Sequence, residues 1–236
     1  MSKITHIFFD LYGTLIDTAV MGACYSAVYG RLMAERYGRQ PGEWAEANRR
    51  IVADWDSYYA DLDFDGENGL DDMWEGLYRT TRAMFRIVSV PEPSREALHQ
   101  LSRWVPGEVP KYCDALYPDA KSILVALHQT GYVLGVTSHA LVTQVEATLI
   151  GGGVRDLFAG PIIGPEIVGQ YRNDALFYRY ASRAAGVKPG ACLVVDDHPD
   201  ALRAASALGM ATYNAQRDNA GAVGLTPLLD FVTKHG

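Results

Sequence analysis

The chain has 236 residues, 48% of them hydrophobic and 21% charged, with a formal net charge of −7 and a pI near 5.3. That length suits one or two domains with a sizeable core, and no apolar run is long enough to cross a bilayer. The acidic balance argues against a nucleic-acid surface or an anionic membrane as partner and leaves room for a local basic pocket.

Met1-Ser2-Lys3 leads straight into an apolar, strand-forming run without a signal-peptide core, which points to the cytoplasm. The run Ile7-Phe8-Phe9 stops at Asp10, and Gly13 in Leu11-Tyr12-Gly13-Thr14-Leu15 allows the tight turn that follows. A buried parallel strand delivering a carboxylate to its C-terminal end fits this pattern, and open α/β sheets place their sites at that end. A carboxylate that only caps the next turn fits it equally.

Residues 17–109 read as helical. Apolar residues at helical spacing predict helices over 19–37, with Gly38 as the stop, over 43–62 and over 70–87. Pro91-Glu92-Pro93-Ser94 breaks the chain before a further helix through Trp104. Trp55, Tyr58, Tyr59 and Leu62 share one helical face, with Trp74 and Tyr78 on the next; this is a packing stripe first and an aromatic wall over a site second. Between these helices Asp61, Asp63, Asp65, Gly66 and Asp72 resemble an EF-hand calcium loop, although Asn68 and the short Asp72 depart from it. An acidic, solvated interhelical loop is the alternative.

From Pro110 onward helices and apolar strands alternate. Helices are predicted over 120–130, 141–150, 176–185 and 201–208. Strands are predicted at Val133-Leu134-Gly135-Val136-Thr137, Pro161-Ile162-Ile163, Cys192-Leu193-Val194-Val195 and Ala211-Thr212-Tyr213, with a less regular tail from Asn214. Such alternation argues for a parallel sheet covered on both faces. Cys24, Cys113 and Cys192 are odd in number and lack metal-ligand spacing, so reduced, buried thiols are expected.

Three later strand ends carry chemistry. Thr137-Ser138-His139 opens a helix, where a hydroxyl can cap the helix or hold a phosphate oxygen. Arg172, in Tyr171-Arg172-Asn173-Asp174, is a forked cation suited to phosphate or carboxylate, or else a solvated surface arginine. Asp196 and Asp197 follow buried-looking residues directly, which is costly unless they bind something.

Taken together, these stretches resemble the four ordered motifs of the haloacid dehalogenase superfamily. The first reads Asp-x-Tyr-Gly-Thr, with Tyr12 where the pattern usually has a second Asp. His139 stands for Asn, Arg172 for Lys, and the last Asp of the fourth motif falls on Ala201, one residue after Asp200.

The resemblance implies an α/β fold, a doubly wound Rossmann-like parallel sheet formed by residues 1–16 and 110–236. A helical cap would be inserted as residues 17–109, with the active site in the cleft between. It implies that Asp10 attacks the substrate and forms a covalent aspartyl intermediate, with Tyr12, Ser138 and Arg172 assisting. Thr14, Ser138, His139 and Arg172 would bind a small anionic substrate. Asp10, the carbonyl of Tyr12, Asp197 and Asp196 would hold Mg²⁺. Asp197 favours a phosphatase, Tyr12 favours a haloacid dehalogenase, and the departures together favour a binding module that has lost turnover. His139 and His198 are candidate proton carriers.

Overall fold

The computed structural model describes residues 3–171, 174–217 and 224–235. Five strands, β1 (His6–Phe9), β2 (Val133–Thr137), β3 (Ile162–Ile163), β4 (Cys192–Asp196) and β5 (Ala211–Asn214), form one parallel sheet in the order β3-β2-β1-β4-β5. Side chains alternate between its faces. Ile7 and Phe9 join Leu134, Val136, Leu193 and Val195 in one apolar cluster, whereas Phe8 joins Val194 and Ile163 in the other. Burial on both faces is why these strands read as unbroken apolar runs rather than alternating ones.

After β1 the chain forms a helical insert: α1 (Thr18–Tyr37), α2 (Pro41–Ala53), α3 (Trp55–Tyr59), α4 (Gly69–Val88) and α5 (Arg95–Glu108). The Asp17 carboxylate starts α1 by accepting from the Ala19 and Val20 N–H groups at 2.9 and 3.1 Å. Gly38, at φ 77°, ends it. This helical insert has its own apolar cluster, in which Trp44 and Phe85 pack edge to face with centroids 5.1 Å apart beside Met33, Ile51 and Leu98.

The expected helix over 43–62 is two helices. At Asp54 the chain leaves helical geometry (φ −117°, ψ 33°), and the Ser57 hydroxyl donates to the Asp54 carboxylate and carbonyl at 2.7 and 2.9 Å. Short polar side chains thus give the backbone a local alternative to the helix. Helix α5 also runs past Trp104 and through Pro106, to Glu108.

The remaining helices are α6 (Ala120–Gln129), α7 (Val142–Gly151), α8 (Pro165–Val168), α9 (Asp174–Ala184), α10 (Pro199–Ala207) and α11 (Leu228–His235). Side chains of α6, α7 and α11 cover one face of the sheet and those of α9 and α10 the other. Helix α11 lies in the tail expected to be irregular.

The expectation of three reduced thiols is corrected. Cys24 on α1 and Cys113 form a disulfide, with Cα atoms 5.8 Å apart, and only Cys192 is a free, buried thiol. The pair is 89 residues apart in sequence and meets because the insert returns to its starting point, which spacing alone cannot reveal. Among the described residues no helix is long and apolar enough to cross a membrane.

Candidate active site

The site lies at the C-terminal ends of β1, β2 and β4, where the order of the sheet reverses about β1. Asp10 follows β1 directly, and its N–H donates to the Val195 carbonyl at 2.9 Å. Asp196 ends β4 and Asp197 follows it. The carboxylates of Asp10, Asp196 and Asp197 each bring an oxygen within 4.8 Å of the others, the one such acidic or metal-ligating group among the described residues. Gly13, at φ 90°, carries the turn after Asp10 across this cluster; a Cβ there would lie 2.6 Å from Asp197 Oδ2. A side chain at this position therefore cannot be accommodated without moving Asp197.

Three acids this close repel one another. Asp10 keeps a face on the cavity yet is ringed by protein, and this loss of solvent, followed by the Asp196 charge, raises its pKa well above the usual carboxylate range. Burial first, and then neighbouring acids, raise Asp196 to about 6. Asp196 is held by the His198 N–H at 2.7 Å and by the Tyr178 hydroxyl at 3.4 Å. A hard cation would relieve the whole group, since oxygen donors at this spacing are what Mg²⁺ takes.

Ser138, just past β2, is buried; its hydroxyl reaches the Asp10 carboxylate and accepts from the Ala140 N–H at 3.3 Å. It does not cap α7. The Glu166 carboxylate fills that role, accepting from the Val142 N–H at 3.1 and 3.0 Å. His139 Nε2 pairs with Asp174 Oδ1 at 2.9 Å, and that partner holds the Asp174 pKa below the usual range. Arg172 lies outside the described residues.

The structure places Thr14 and Asp200 as follows. Thr14 does not line the cavity: it is fully buried and its hydroxyl donates to Asp197 Oδ1 at 3.0 Å, so it orients an acid rather than a substrate. Asp200 is turned to the surface and paired with Arg203, so it does not stand in for the acid missing at Ala201. Tyr12 does face the cavity, but its phenol accepts from Gln144 Nε2 at 2.9 Å and bonds Thr148 Oγ1 at 3.2 Å. Burial raises its pKa further, which leaves it a neutral phenol held by α7.

The calcium reading is corrected too. Asp61 is forked onto Arg79 at 2.6 and 3.2 Å. Asp63 accepts from the Asp65 and Gly66 N–H groups at 3.2 and 3.1 Å, and Asp72 from the Asp63 N–H at 2.9 Å. These carboxylates are used by the loop itself and do not converge.

Arg217 is a positioning residue that sequence reading missed. Its Nε and Nη2 donate to the Thr14 carbonyl at 3.1 and 3.0 Å, and its Nη1 to Asp119 at 2.7 Å. It lies 203 residues from Thr14 in sequence, within the tail that showed no periodicity. Tyr178 was missed likewise, as one more aromatic on a core-facing helix.

Above the acids opens a cavity of about 790 Å³ whose walls come from the sheet ends and from α1, α2, α3, α4 and α5. None of the described residues lining it is Lys or Arg.

A family model described as haloacid dehalogenase-like hydrolase matches residues 4–209. A glyceraldehyde 3-phosphate phosphatase of Methanopyrus kandleri is 32% identical over 102 residues, 43% of this chain and 43% of that relative. The match thus spans less than half the length of that curated relative. A phosphatase of the same superfamily from Thermococcus onnurineus superposes with TM-score 0.59 at 19% identity, covering 97% of this chain and 98% of that one. An L-2-haloacid dehalogenase of Xanthobacter autotrophicus gives TM-score 0.56 at 18% identity, covering 98% and 88%. At these identities the solved structures speak to the fold.

Proposed function

The chain belongs to the haloacid dehalogenase-like hydrolases, and on that premise we propose that it is a Mg²⁺-dependent phosphomonoesterase with Asp10 as nucleophile and residues 17–109 as its cap. The convergence of Asp10, Asp196 and Asp197 carries this reading. Three acids, two with raised pKa values, suit a site completed by a cation. A metal-free displacement at carbon would have no use for them all. Asp10, Asp197, Asp196 and the Tyr12 carbonyl would hold Mg²⁺, which when bound offsets the charge between the attacking carboxylate and the phosphoryl oxygens.

The residues of the chain then have distinct tasks. Asp10 Oδ forms a bond to phosphorus as the bond to the ester oxygen breaks, and the leaving oxygen departs with the electron pair. Water attacks the aspartyl phosphate, which returns Asp10 and releases inorganic phosphate. The Ser138 hydroxyl lies beside Asp10, where a phosphoryl oxygen would sit. Arg172, standing on the family's lysine position, supplies the cation. The family's acid is absent, because Tyr12 is a neutral phenol tied to Gln144 and Thr148. Loss of a general acid costs about 10²–10⁴-fold. Esters of aryl alcohols, whose leaving groups need little protonation, should therefore react faster than alkyl phosphates.

Tyr12 also supports a second reading, because haloacid dehalogenases commonly carry Tyr at this position. A screen of aryl phosphates and 2-chloropropionate, each with Mg²⁺ and with excess EDTA, separates the two. We expect Mg²⁺-dependent phosphate release, and narrowing of the aryl-over-alkyl preference in Tyr12→Asp. Halide release that persists in EDTA would install the dehalogenase reading instead.

A further inference from the structure

The cavity is far larger than a phosphoryl group or a short haloacid requires. About 790 Å³ lies in the upper part of the range of pockets that enclose drug-sized ligands. Its far wall is an aromatic chain. Trp55 stacks on Tyr59 with centroids 4.2 Å apart, Tyr59 meets Phe64 at 5.5 Å, and Phe64 meets Tyr171 at 5.1 Å. Tyr171 approaches His139 at 6.4 Å, and His139 is the neighbour of Ser138. This row runs from the helical insert to the catalytic strand ends, and every member lines the cavity. Tyr25, Ile51, Met73, Leu77, Met84 and Val105 also line the cavity.

The wall packs tightly onto α4. The Tyr59 ring lies so close over α4 that a Cβ on Gly76 would come within 1.9 Å of it. The Tyr59 hydroxyl is buried and makes no well-formed hydrogen bond among the described residues. Thr80 lies beside it, but the Thr80 hydroxyl donates to the Gly76 and Leu77 carbonyls at 3.0 and 3.1 Å. A polar group buried without a partner is costly, so a ligand atom at this place would be bound with a gain. The described lining residues of the helical insert carry no charged side chain, so that part of the cavity favours an uncharged group.

We infer that the substrate is the phosphate monoester of a bulky, uncharged aromatic alcohol of at least two rings, its ring system lying along the Trp55–Tyr59–Phe64–Tyr171 wall and a polar substituent reaching the Tyr59 hydroxyl. The ester part of this inference rests on the phosphatase reading. The recognition of the ring system does not.

Two measurements keep them apart. Binding of 2-naphthol to the Mg²⁺-free protein is followed by calorimetry and by quenching of tryptophan fluorescence. KM is then compared for 2-naphthyl phosphate and phenyl phosphate in Mg²⁺. We expect naphthol to bind in the micromolar range, KM to be at least about 10-fold lower for the naphthyl ester, and that ratio to collapse in Phe64→Ala. Trp55→Ala, at a partly exposed position, repeats the test should Phe64→Ala fail to fold. Naphthol binding with no hydrolysis of either ester keeps the cavity assignment and ends the phosphatase reading. No naphthol binding at millimolar concentration, or equal KM values for the two esters, overturns the inference while leaving the phosphatase reading intact.

Discussion

Asp10, Asp196 and Asp197 stand at the ends of two central strands, whereas Asp61, Asp63 and Asp65 lie on the loop ahead of α4 in the helical insert and Asp72 in the first turn of that helix. On paper both groups resemble metal sites. In space the first converges with no Lys or Arg among the described residues lining the cavity, while in the second Asp61 is taken by Arg79, and Asp63 and Asp72 by backbone N–H groups nearby. A run of carboxylates is therefore a weak signal by itself. What decides is whether the backbone behind it can satisfy each acid locally. An exposed loop can turn N–H groups onto its acids, whereas at the strand ends the one N–H that Asp196 takes from His198 leaves three carboxylates still facing one another.

The sharpest test of this contrast removes one acid from each group. Asp10→Asn should lower turnover on the order of 10⁴-fold or more, the scale seen when a nucleophile is lost, with the fold retained because the change is nearly isosteric. Asp63→Ala should leave kcat and the Mg²⁺ requirement at wild-type values within experimental scatter. Substantial turnover in purified Asp10→Asn would falsify the covalent mechanism for either chemistry.

The same contrast explains what was legible in the sequence. The sheet could be read because its strands are buried on both faces, so Ile7-Phe8-Phe9 and Cys192-Leu193-Val194-Val195 are apolar without interruption. The acids could be read because each follows such a run directly. Long-range closure could not. The Cys24–Cys113 disulfide, the Arg217 clamp on Thr14 and the His139–Asp174 pair depend on how separate elements meet. Which way Thr14 and Asp200 turn was illegible for a related reason, since position in a motif does not orient a side chain. Of the aromatic stripe Tyr59 is buried and Trp55 exposed, and both line the cavity, as the second reading of that stripe had it; the part that Phe64 and Tyr171 play in the wall was not legible.

Two arginine–carboxylate pairs extend the comparison to stability. Arg217 is 10% exposed and Asp119 23%, against 33% for Arg79 and 71% for Asp61. Arg217→Ala strands Asp119 and releases the Thr14 carbonyl, and breaking a largely buried pair of this kind costs roughly 3 kcal/mol. Urea denaturation should show that loss together with reduced kcat, since the turn bearing Asp10 would lose its anchor. Arg79→Ala should barely move the midpoint, as expected of a solvated pair. Equal midpoints for the two variants would show that burial does not separate them.

The two groups also differ in the sign of their response to pH. Burial and neighbouring acids raise Asp196 from its ordinary 3.8 to about 6. Below pH 3.8 the acid is protonated in both folded and unfolded chains and costs nothing. As pH rises through the interval the unfolded chain ionises first, the folded chain binds more protons, and stability falls until the folded carboxyl has titrated. In EDTA, wild type should therefore lose up to roughly 3 kcal/mol relative to Asp196→Asn between about pH 4 and 7. Asp61 runs the other way. Its hydrogen bonds from Arg79 lower its pKa, so the stability it contributes is present at neutral pH and is lost as pH falls, and wild type should gain on Asp61→Asn as pH rises. Comparing each variant with wild type, rather than reading one curve, cancels the other carboxylates that titrate in the same range. Added Mg²⁺ should erase the Asp196 difference, because a cation favours the ionised cluster, and should leave the Asp61 difference untouched. A constant offset between wild type and Asp196→Asn across the whole range would mean that the three strand-end acids do not strain the metal-free fold, and the argument for a cation between them would lose its electrostatic basis.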